Sequence, residues 1–377
     1  MALFSTKYLT RSEVIDPGNW EQVQGYLNWL ADHGVSGPPS VDTSTIGVAA
    51  GGNKWYGGVL APNGKIYCIP WDATEVMVID PTTDLASYFP SPPEPGLAAE
   101  DKWLGGVLAP NDKIYCIPYE ATNVMIIDPA TDTVSFPPTL GGFPGTGSHK
   151  WHGGVLARNG KIYCIPSDAA TVLVINPADD RCIEIPFTEP PGFTDAKWYG
   201  GVLAPNGKIY CIPWHSDYVM IINPATNTVD PDAISVSVFA EWKWAGGVLA
   251  PNGKIYCIPR DPNRVLIIDP DRNTTKLVAN LATNNKWAGG VLGPDGKIYG
   301  MPRDYDSILV VDPNTDTADP DALPVPGSND KWTGGVLASN GKIYGIPNDA
   351  DSVLIIDVHS NGEVFDSIAQ CAYFNKF

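Results

Sequence analysis

The sequence has little basic charge and no long hydrophobic run. Its 377 residues include 24 Lys and Arg against 42 Asp and Glu, so the formal net charge is -18. A protein that binds the phosphate backbone of nucleic acid needs an excess of Lys and Arg to displace counterions. An anionic membrane surface attracts the same residues. No stretch of about 18 apolar residues could cross a bilayer as a helix. We therefore expect neither nucleic acid nor a membrane as a partner.

The N-terminus lacks the features of a secretory signal. The first 20 residues, MALFSTKYLTRSEVIDPGNW, contain no long apolar core that would direct export. The sequence accordingly predicts synthesis in the cytoplasm.

Sequence signatures of catalysis and metal binding are missing as well. The chain has no P-loop, no GxGxxG after a strand, no HExxH and no GxSxG. Among five histidines only His149 and His152 are close in sequence, and no carboxylate or cysteine joins them at ligand spacing. We expect no cofactor, no metal and no catalytic residue. A catalytic cluster could still assemble from separate blades, but the sequence favours a protein that is not an enzyme.

Cysteine is confined almost entirely to one repeated position. Five of the seven cysteines follow the same Lys-Ile-Tyr triplet: Cys68, Cys116, Cys164, Cys211 and Cys257. A disulfide needs Cα atoms within about 7 Å, and equivalent positions in separate repeats should lie farther apart. The pattern predicts buried, reduced thiols.

What the sequence does have is a repeat. The stretch KWYGGVLAPNGKIYCIPW at 54–71 returns unchanged at 197–214. A Lys-Trp pair recurs seven times at intervals of 43 to 48 residues, with the tryptophans at Trp55, Trp103, Trp151, Trp198, Trp244, Trp287 and Trp332. This period is typical of four-stranded propeller blades and is near that of WD40 repeats.

Each copy predicts four short strands. In the first copy an apolar run is followed by Pro-Asn-Gly, which favours a tight hairpin because both turn residues need positive φ. A second apolar strand, a third strand and an Asp-Pro turn follow. The sequence thus predicts an all-β, seven-bladed β-propeller over 41–377, with blades starting near 54, 102, 150, 197, 243, 286 and 331. Either 43–49 or 363–369 could supply the last strand, and we favour the N-terminal segment.

Residues 1–40 lie outside the repeats and predict a short helical extension. Asp16 is a suitable N-cap, Pro17 fits the first turn and Gly34 follows the end. The apolar face of this helix is formed by Trp20, Val23, Tyr26, Leu27, Trp29 and Leu30. It either caps the propeller or docks the protein into a larger assembly, and the breadth of the face favours docking.

The copies differ on one face. Strand direction alternates, so the hairpin and the Asp-Pro turn share a face that is nearly identical in every copy. The variable residues fall on the opposite face, where the ligand-binding candidates are Tyr56, Trp71, Asp72, Tyr119, Glu120, His152, Tyr199, Trp214, Arg260 and Arg303.

These variable residues have two interpretations. Aromatic rings and carboxylates suit sugars, and Trp, Tyr and Arg equally suit a protein interface. The regular acids could instead form a structural ion pair with the lysine of the same copy, as between Lys54 and Asp72. We favour structure for the acids and recognition for the variable aromatics.

The repeat GGVLAPNGKIYxIPxxxxxVLIIDPxTD resembles a propeller repeat found in proteins of microbial eukaryotes, bacteria and marine bacteriophages, with an architecture like that of kelch, NHL and WD40 propellers. The match covers 54–362, with departures at Asn111-Asp112, Gly300 and Gly345. The resemblance implies the fold and no particular activity. Two functions therefore remain open. One is a non-enzymatic interaction module, such as a virion or tail component docked through its N-terminal arm. The other is a propeller that binds a glycan or a small molecule at the ring mouth, as a lectin or as a lyase or hydrolase.

Overall fold

The structure, a computed structural model, describes residues 38–358 apart from 92–99, 142–146, 191, 193–194, 237, 239, 282–285, 326 and 328. The predicted N-terminal helix and its six docking residues lie outside the described residues. In the part that is described, 28 strands form seven antiparallel sheets of four, and no helix is long and apolar enough to cross a membrane.

The first strand of the chain, β1 (Ser40–Asp42), precedes the blades. Blade 1 contains β2 (Trp55–Leu60), β3 (Ile66–Pro70), β4 (Glu75–Asp80) and β5 (Leu85–Pro90). Blade 2 contains β6 (Trp103–Leu108), β7 (Ile114–Pro118), β8 (Met125–Asp128) and β9 (Thr133–Ser135), followed by a 3-10 turn (Pro138–Leu140). Blade 3 contains β10 (Trp151–Leu156), β11 (Ile162–Pro166), β12 (Thr171–Asn176) and β13 (Arg181–Pro186).

Blades 4 to 7 repeat this arrangement. Blade 4 contains β14 (Trp198–Leu203), β15 (Ile209–Pro213), β16 (Tyr218–Asn223) and β17 (Thr228–Ser235). Blade 5 contains β18 (Trp244–Leu249), β19 (Ile255–Pro259), β20 (Val265–Asp269) and β21 (Thr274–Val278). Blade 6 contains β22 (Trp287–Leu292), β23 (Ile298–Pro302), β24 (Ser307–Asp312) and β25 (Thr317–Pro324). Blade 7 contains β26 (Trp332–Leu337), β27 (Lys342–Pro347) and β28 (Leu354–Asp357), with β1 as its outer strand. The predicted seven-bladed propeller is confirmed.

The N-terminal segment closes the ring. Strand β1 pairs antiparallel with β28, with Ser40 opposite Asp357 and Asp42 opposite Ile355. The closing strand lies slightly upstream of 43–49, where Gly47 makes only an isolated bridge to Ser352. The outer strand of blade 7 is therefore separated in sequence from the other three strands of that blade by the whole ring.

The two glycines of each copy have different physical roles. Gly57 has a φ of 73°, a left-handed conformation that glycine adopts without strain, and it lies in a β-bulge between Trp55 and Gly58. Gly58 is limited by space, because an added Cβ would lie 2.8 Å from Cδ1 of Ile346 in blade 7. The first glycine shapes the innermost strand, and the second lets neighbouring blades approach.

The hairpin face joins neighbouring blades through one repeated network. The hydroxyl of Tyr67 in blade 1 donates to Oδ1 of Asp132 in the third turn of blade 2 at 2.6 Å. Asn63 of the same hairpin donates to the carbonyl of Pro129 at 3.0 Å. The same tyrosine bond recurs at Tyr115 and Asp180, Tyr163 and Asn227, Tyr210 and Asn273, Tyr256 and Asp316, and Tyr344 and Asp84. We call this surface the turn face.

The cysteines are packing residues. The five repeated cysteines are fully buried, and the six cysteines of the described chain form no disulfide. Burial raises the pKa of the Cys116 and Cys211 thiols well above the ordinary value. Since the thiolate is the reactive form, these groups are chemically inert.

Candidate functional site

The face opposite the turn face carries the variable residues, and we call it the mouth. It is defined by the seven residues that follow the second strands of the blades: Trp71, Tyr119, Ser167, Trp214, Arg260, Arg303 and Asn348. The β-bulge at the start of each inner strand places a second set of residues around the axis just below: Tyr56, Leu104, His152, Tyr199, Ala245, Ala288 and Thr333. Members of both sets meet in one cluster that draws on separate blades. The structure therefore brings distant repeats together here.

The axis is filled by stacked rings. Tyr199 lies with its ring centroid 3.5 Å from that of His152 and 4.6 Å from that of Trp214. Tyr56 reaches across from blade 1, with centroids 5.7 Å from His152 and 6.4 Å from Tyr199. All four side chains are buried. Aromatic pairs at these separations add stability beyond the area they bury, so this group forms a plug that supports the surface above it.

The predicted aromatic residues above the plug remain accessible. Trp71 and Tyr119 are half-buried, with ring centroids 6.2 Å apart. The indole Nε1 of Trp71 donates to a carboxylate oxygen of Asp101, which fixes the ring. On this side of the mouth, rings of fixed orientation meet solvent.

The other side of the mouth carries two arginines from adjacent blades. The guanidinium carbon of Arg260 lies 5.1 Å from the ring centroid of Trp214 and 5.2 Å from that of Trp242. Arg303 forms an ion pair with Asp330 that uses both Nε and Nη2. Burial, followed by the nearby charge of Arg303, lowers the pKa of Arg260. Two half-buried cations thus lie side by side in a chain that is otherwise strongly acidic.

The regular acids bind backbone, and the predicted pairing of Lys54 with Asp72 is wrong. Oδ1 of Asp72 accepts the backbone N–H of Asp101 in the next blade at 2.6 Å, while Lys54 donates to the carbonyl of Gly51. The same backbone bond links Glu120 to His149, Asp168 to Ala196, Asp304 to Asp330, and Asp349 to Asn53. The backbone N–H of Asp72 donates to the carbonyl of Asn53 at the start of its own blade, while its carboxylate is directed to the next blade. The structural interpretation of the acids holds with different partners.

The lysines of the Lys-Trp pairs are buried, and those at Lys197, Lys243, Lys286 and Lys331 contact the preceding blade. Lys243 donates to the carbonyl of His215 at 2.6 Å and lies 3.1 Å from Oδ1 of Asp217. Lys331 lies 3.1 Å from Oδ1 of Asp306. Burial lowers the pKa of Lys286 to about 8, while the charge of Asp261 opposes that shift. These contacts couple adjacent blades below the mouth.

Two further residues lie at the mouth that the sequence did not indicate as ligand-binding candidates. Trp242 is 39% exposed and stacks on Arg260. His149 stacks on Tyr119 with centroids 4.8 Å apart, and its Nε2 lies 3.2 Å from Glu120. Both occupy the position just before the repeated lysine, where other copies have Asn53, Asp101, Ala196 and Asp330. The unusual side chains at this repeat position could have indicated that both residues belong to the mouth.

The histidines of the HKWH stretch both contact Tyr119, yet no group of three His, Cys, Asp or Glu side chains within the described residues could hold a metal ion. Within the described part of the chain, Nδ1 of His152 is buried without a hydrogen-bond partner. Burial lowers the pKa of His152 to about 3, so its imidazole is neutral across the physiological range.

The fold and this mouth define a seven-bladed propeller with a mixed aromatic and arginine surface at one end of its axis. No protein-family model matches the chain, and no curated protein matches it. Among solved structures, a catalytically inactive virginiamycin B lyase from Staphylococcus aureus with quinupristin is 11% identical, with a TM-score of 0.70 over 85% of this chain and 99% of that chain. A streptogramin B lyase is 12% identical, with a TM-score of 0.69 over 84% of this chain and 97% of that chain. Kuenenia stuttgartiensis hydrazine synthase is 14% identical, with a TM-score of 0.62 over 84% and 98%. Similarity at this level of identity shows the propeller fold alone.

Proposed function

We propose that this protein is a non-enzymatic recognition module that binds its ligand at the mouth. The observation that carries the proposal is the stack of Trp242 on Arg260 above a buried ring plug. A large ring that keeps 39% of its surface exposed beside a guanidinium offers an apolar face and hydrogen-bond donors together. Such groups are the usual anchors of recognition sites.

Two of the histidines near the mouth, His152 and His215, are poorly suited to acid–base catalysis. A general acid or base works best with a pKa near the operating pH. Burial lowers the pKa of His152 to about 3 and also lowers the pKa of His215. Their imidazoles are weaker bases than an ordinary histidine. The lyase and hydrolase alternatives receive no support from these residues.

The two ends of the described region support presentation of the mouth by a larger assembly. Ser40 pairs with Asp357, and Asp357 also pairs with Lys342 beside a hairpin of the turn face. Residues 38 and 358 therefore both lie at the turn face of blade 7, on the side away from the mouth. An assembly that holds the protein by its N-terminal arm would leave the mouth accessible. The resemblance of the repeat to those of bacteriophage proteins is the ground for proposing a virion as that assembly.

Binding to an array of immobilised glycans tests the mouth directly. The variant Trp71→Ala/Trp242→Ala should lose at least about tenfold in affinity for any glycan that the wild type binds, since a stacked ring contributes on the order of 1–3 kcal/mol. Tyr88→Ala, which removes an exposed aromatic side chain from the outer strand β5, is the matched control and should bind like the wild type. Unchanged binding in the double variant would overturn the proposal.

A further inference from the structure

We infer that the ligand of the mouth is a sugar that carries a single carboxylate, with the carboxylate held by Arg260 and Arg303 and the sugar ring on Trp242. The inference deepens the proposed function and rests on it. It assigns a chemical class to the ligand and a separate role to each half of the site.

The anionic part of the ligand follows from the two guanidinium groups. Arg260 and Arg303 follow equivalent second strands in adjacent blades, and the backbone of Lys286 links them: its N–H donates to the carbonyl of Arg260 at 3.3 Å, and its carbonyl accepts the N–H of Arg303 at 3.1 Å. The guanidinium of Arg260 is held in place by the rings of Trp214 and Trp242, and that of Arg303 is held by its ion pair with Asp330. A planar guanidinium of fixed orientation suits bidentate recognition of a carboxylate. Both cations are therefore arranged before the ligand arrives.

The neighbouring acids limit the ligand to one negative charge. Asp330 pairs with Arg303, the carboxylate of Asp304 accepts a backbone N–H, and the charge of Asp261 acts on Lys286. This part of the mouth is close to neutral, whereas the whole chain has a formal charge of -18. A ligand with one carboxylate meets guanidinium donors here, but a polyanion would extend over acidic surface and be repelled.

The sugar part of the ligand follows from the exposed indole and the acids beside it. The ring of Trp242 presents a flat apolar face next to Arg260, at the height of the mouth. The carboxylates of Asp261 and Asp304 follow directly after the two arginines, and a carboxylate that uses one oxygen to accept a backbone N–H, as Asp304 does, has a second oxygen that can accept as well. Sugar hydroxyls are donors that carboxylates accept, and the C–H face of a pyranose packs on indole. An aromatic carboxylate would use the guanidinium groups and leave these acceptors unused.

Isothermal titration with small probes tests the inference. The wild type should bind methyl β-glucuronide at least tenfold more tightly than methyl β-glucoside, which has the same ring without the charge. It should also bind methyl β-glucuronide more tightly than benzoate, which has the charge without the sugar. Raising the salt from about 50 to about 500 mM should weaken binding of the glucuronide and leave that of the glucoside unchanged.

Arg260→Gln separates the charge from the ring. This variant should bind the glucuronide about as weakly as the glucoside. Arg272→Gln removes an equivalent charge from an exposed turn on the turn face and should behave like the wild type. Thermal unfolding of each variant checks that the fold is intact.

The possible failures are distinguishable. Equal affinity for glucuronide and glucoside, with both lost in Trp242→Ala, would overturn the anionic class and leave the mouth as the site. If benzoate bound more tightly than methyl β-glucuronide, the proposal that the ligand contains a sugar ring would be wrong. An absence of binding to all three probes would overturn the ligand class, while the glycan array separately decides whether the mouth binds at all.

Discussion

At the scale of single residues, the repeated acids hold neighbouring blades together through backbone N–H groups. Asp72 accepts from Asp101, a residue with a φ of 56°, and the equivalent acids cap equivalent positions around the ring. A carboxylate that accepts a partly buried N–H satisfies a donor that would otherwise lose its hydrogen bond. The acid is thus part of the architecture, while the residue before it varies between tryptophan, tyrosine and arginine.

This role predicts that an amide can replace the acid. Asp72→Ala should lower the free energy of unfolding by about 1 kcal/mol, because the N–H of Asp101 loses its acceptor. Asp72→Asn keeps a side-chain oxygen and should stay within about 0.5 kcal/mol of the wild type. Urea denaturation of the three proteins measures both differences. Equal losses in both variants would show that the charge, and not the hydrogen bond, matters.

The sequence revealed the chemistry of the mouth residues but not their neighbours. Tyr56 and Tyr199 occupy the same repeat position, so both were expected on the variable face as ligand-binding candidates. Their ring centroids are 6.4 Å apart, and His152 lies 5.7 Å from Tyr56. This arrangement depends on the width of the propeller and on the size of the residues that face the two tyrosines. Small residues at Ala245 and Ala288 leave room on the other side. Those packing relations are set by tertiary structure and have no signature in the period of the repeat.

At the scale of strands and turns, the sequence was most informative. The Asn-Gly hairpins, the buried second strands and the Asp-Pro turns all form where the pattern predicts them, because turn chemistry and burial are local properties. The expectation that both turn residues need positive φ is wrong, since in these hairpins only the glycine has one, 80° at Gly64. The outer strands differ more. They range from three residues in β9 to eight in β17 and β25, and their letters vary from copy to copy. Their limits depend on the crossovers and could not be read from the repeat.

The tyrosine bonds of the turn face should contribute measurably to stability. Tyr115→Phe removes the donor to Asp180 and leaves Asn111 without one of its partners. A hydrogen bond to a charged group is worth about 1.5–3 kcal/mol, and we expect a loss in that range in the free energy of unfolding. Tyr88→Phe, at an exposed position of β5, is the control and should change stability by less than about 0.5 kcal/mol. If Tyr115→Phe left the free energy of unfolding unchanged, the tyrosine bonds of the turn face would not stabilise the fold.

At the scale of the whole molecule, closure of the ring by β1 is the feature that unites the chain. Strand β1 gives β28 a partner and completes blade 7 as a four-stranded sheet, with β1 at its outer edge. Because the closing strand begins at Ser40, any removal of the N-terminal arm that preserves the ring must end before that residue.

Two truncations separate the arm from the closing strand. Removal of residues 1–37 keeps β1 and should leave cooperative unfolding with a midpoint close to that of the full chain. Removal of residues 1–45 also deletes β1, exposes the edge of β28, and should lower the midpoint and promote aggregation. Differential scanning calorimetry and light scattering measure the two effects. If both truncated proteins unfold alike, β1 does not close the ring.

The truncation of residues 1–37, compared with the full chain, also tests whether the arm docks the protein into an assembly. The form lacking residues 1–37 should remain a folded monomer and fail to enter any assembly that the full chain forms, as measured by size-exclusion chromatography with light scattering. Assembly by this truncated form would place the contact elsewhere.

Hydrogen–deuterium exchange locates the proposed recognition of an anionic sugar at the mouth of this propeller. With methyl β-glucuronide at saturation, exchange should slow in peptides around Trp242, Arg260 and Arg303 and stay unchanged in the hairpins of the turn face around Asn63 and Asn206. If the sugar instead protected the turn-face hairpins, it would bind on the wrong face. If it left exchange at the mouth unchanged, the mouth would not be its binding site.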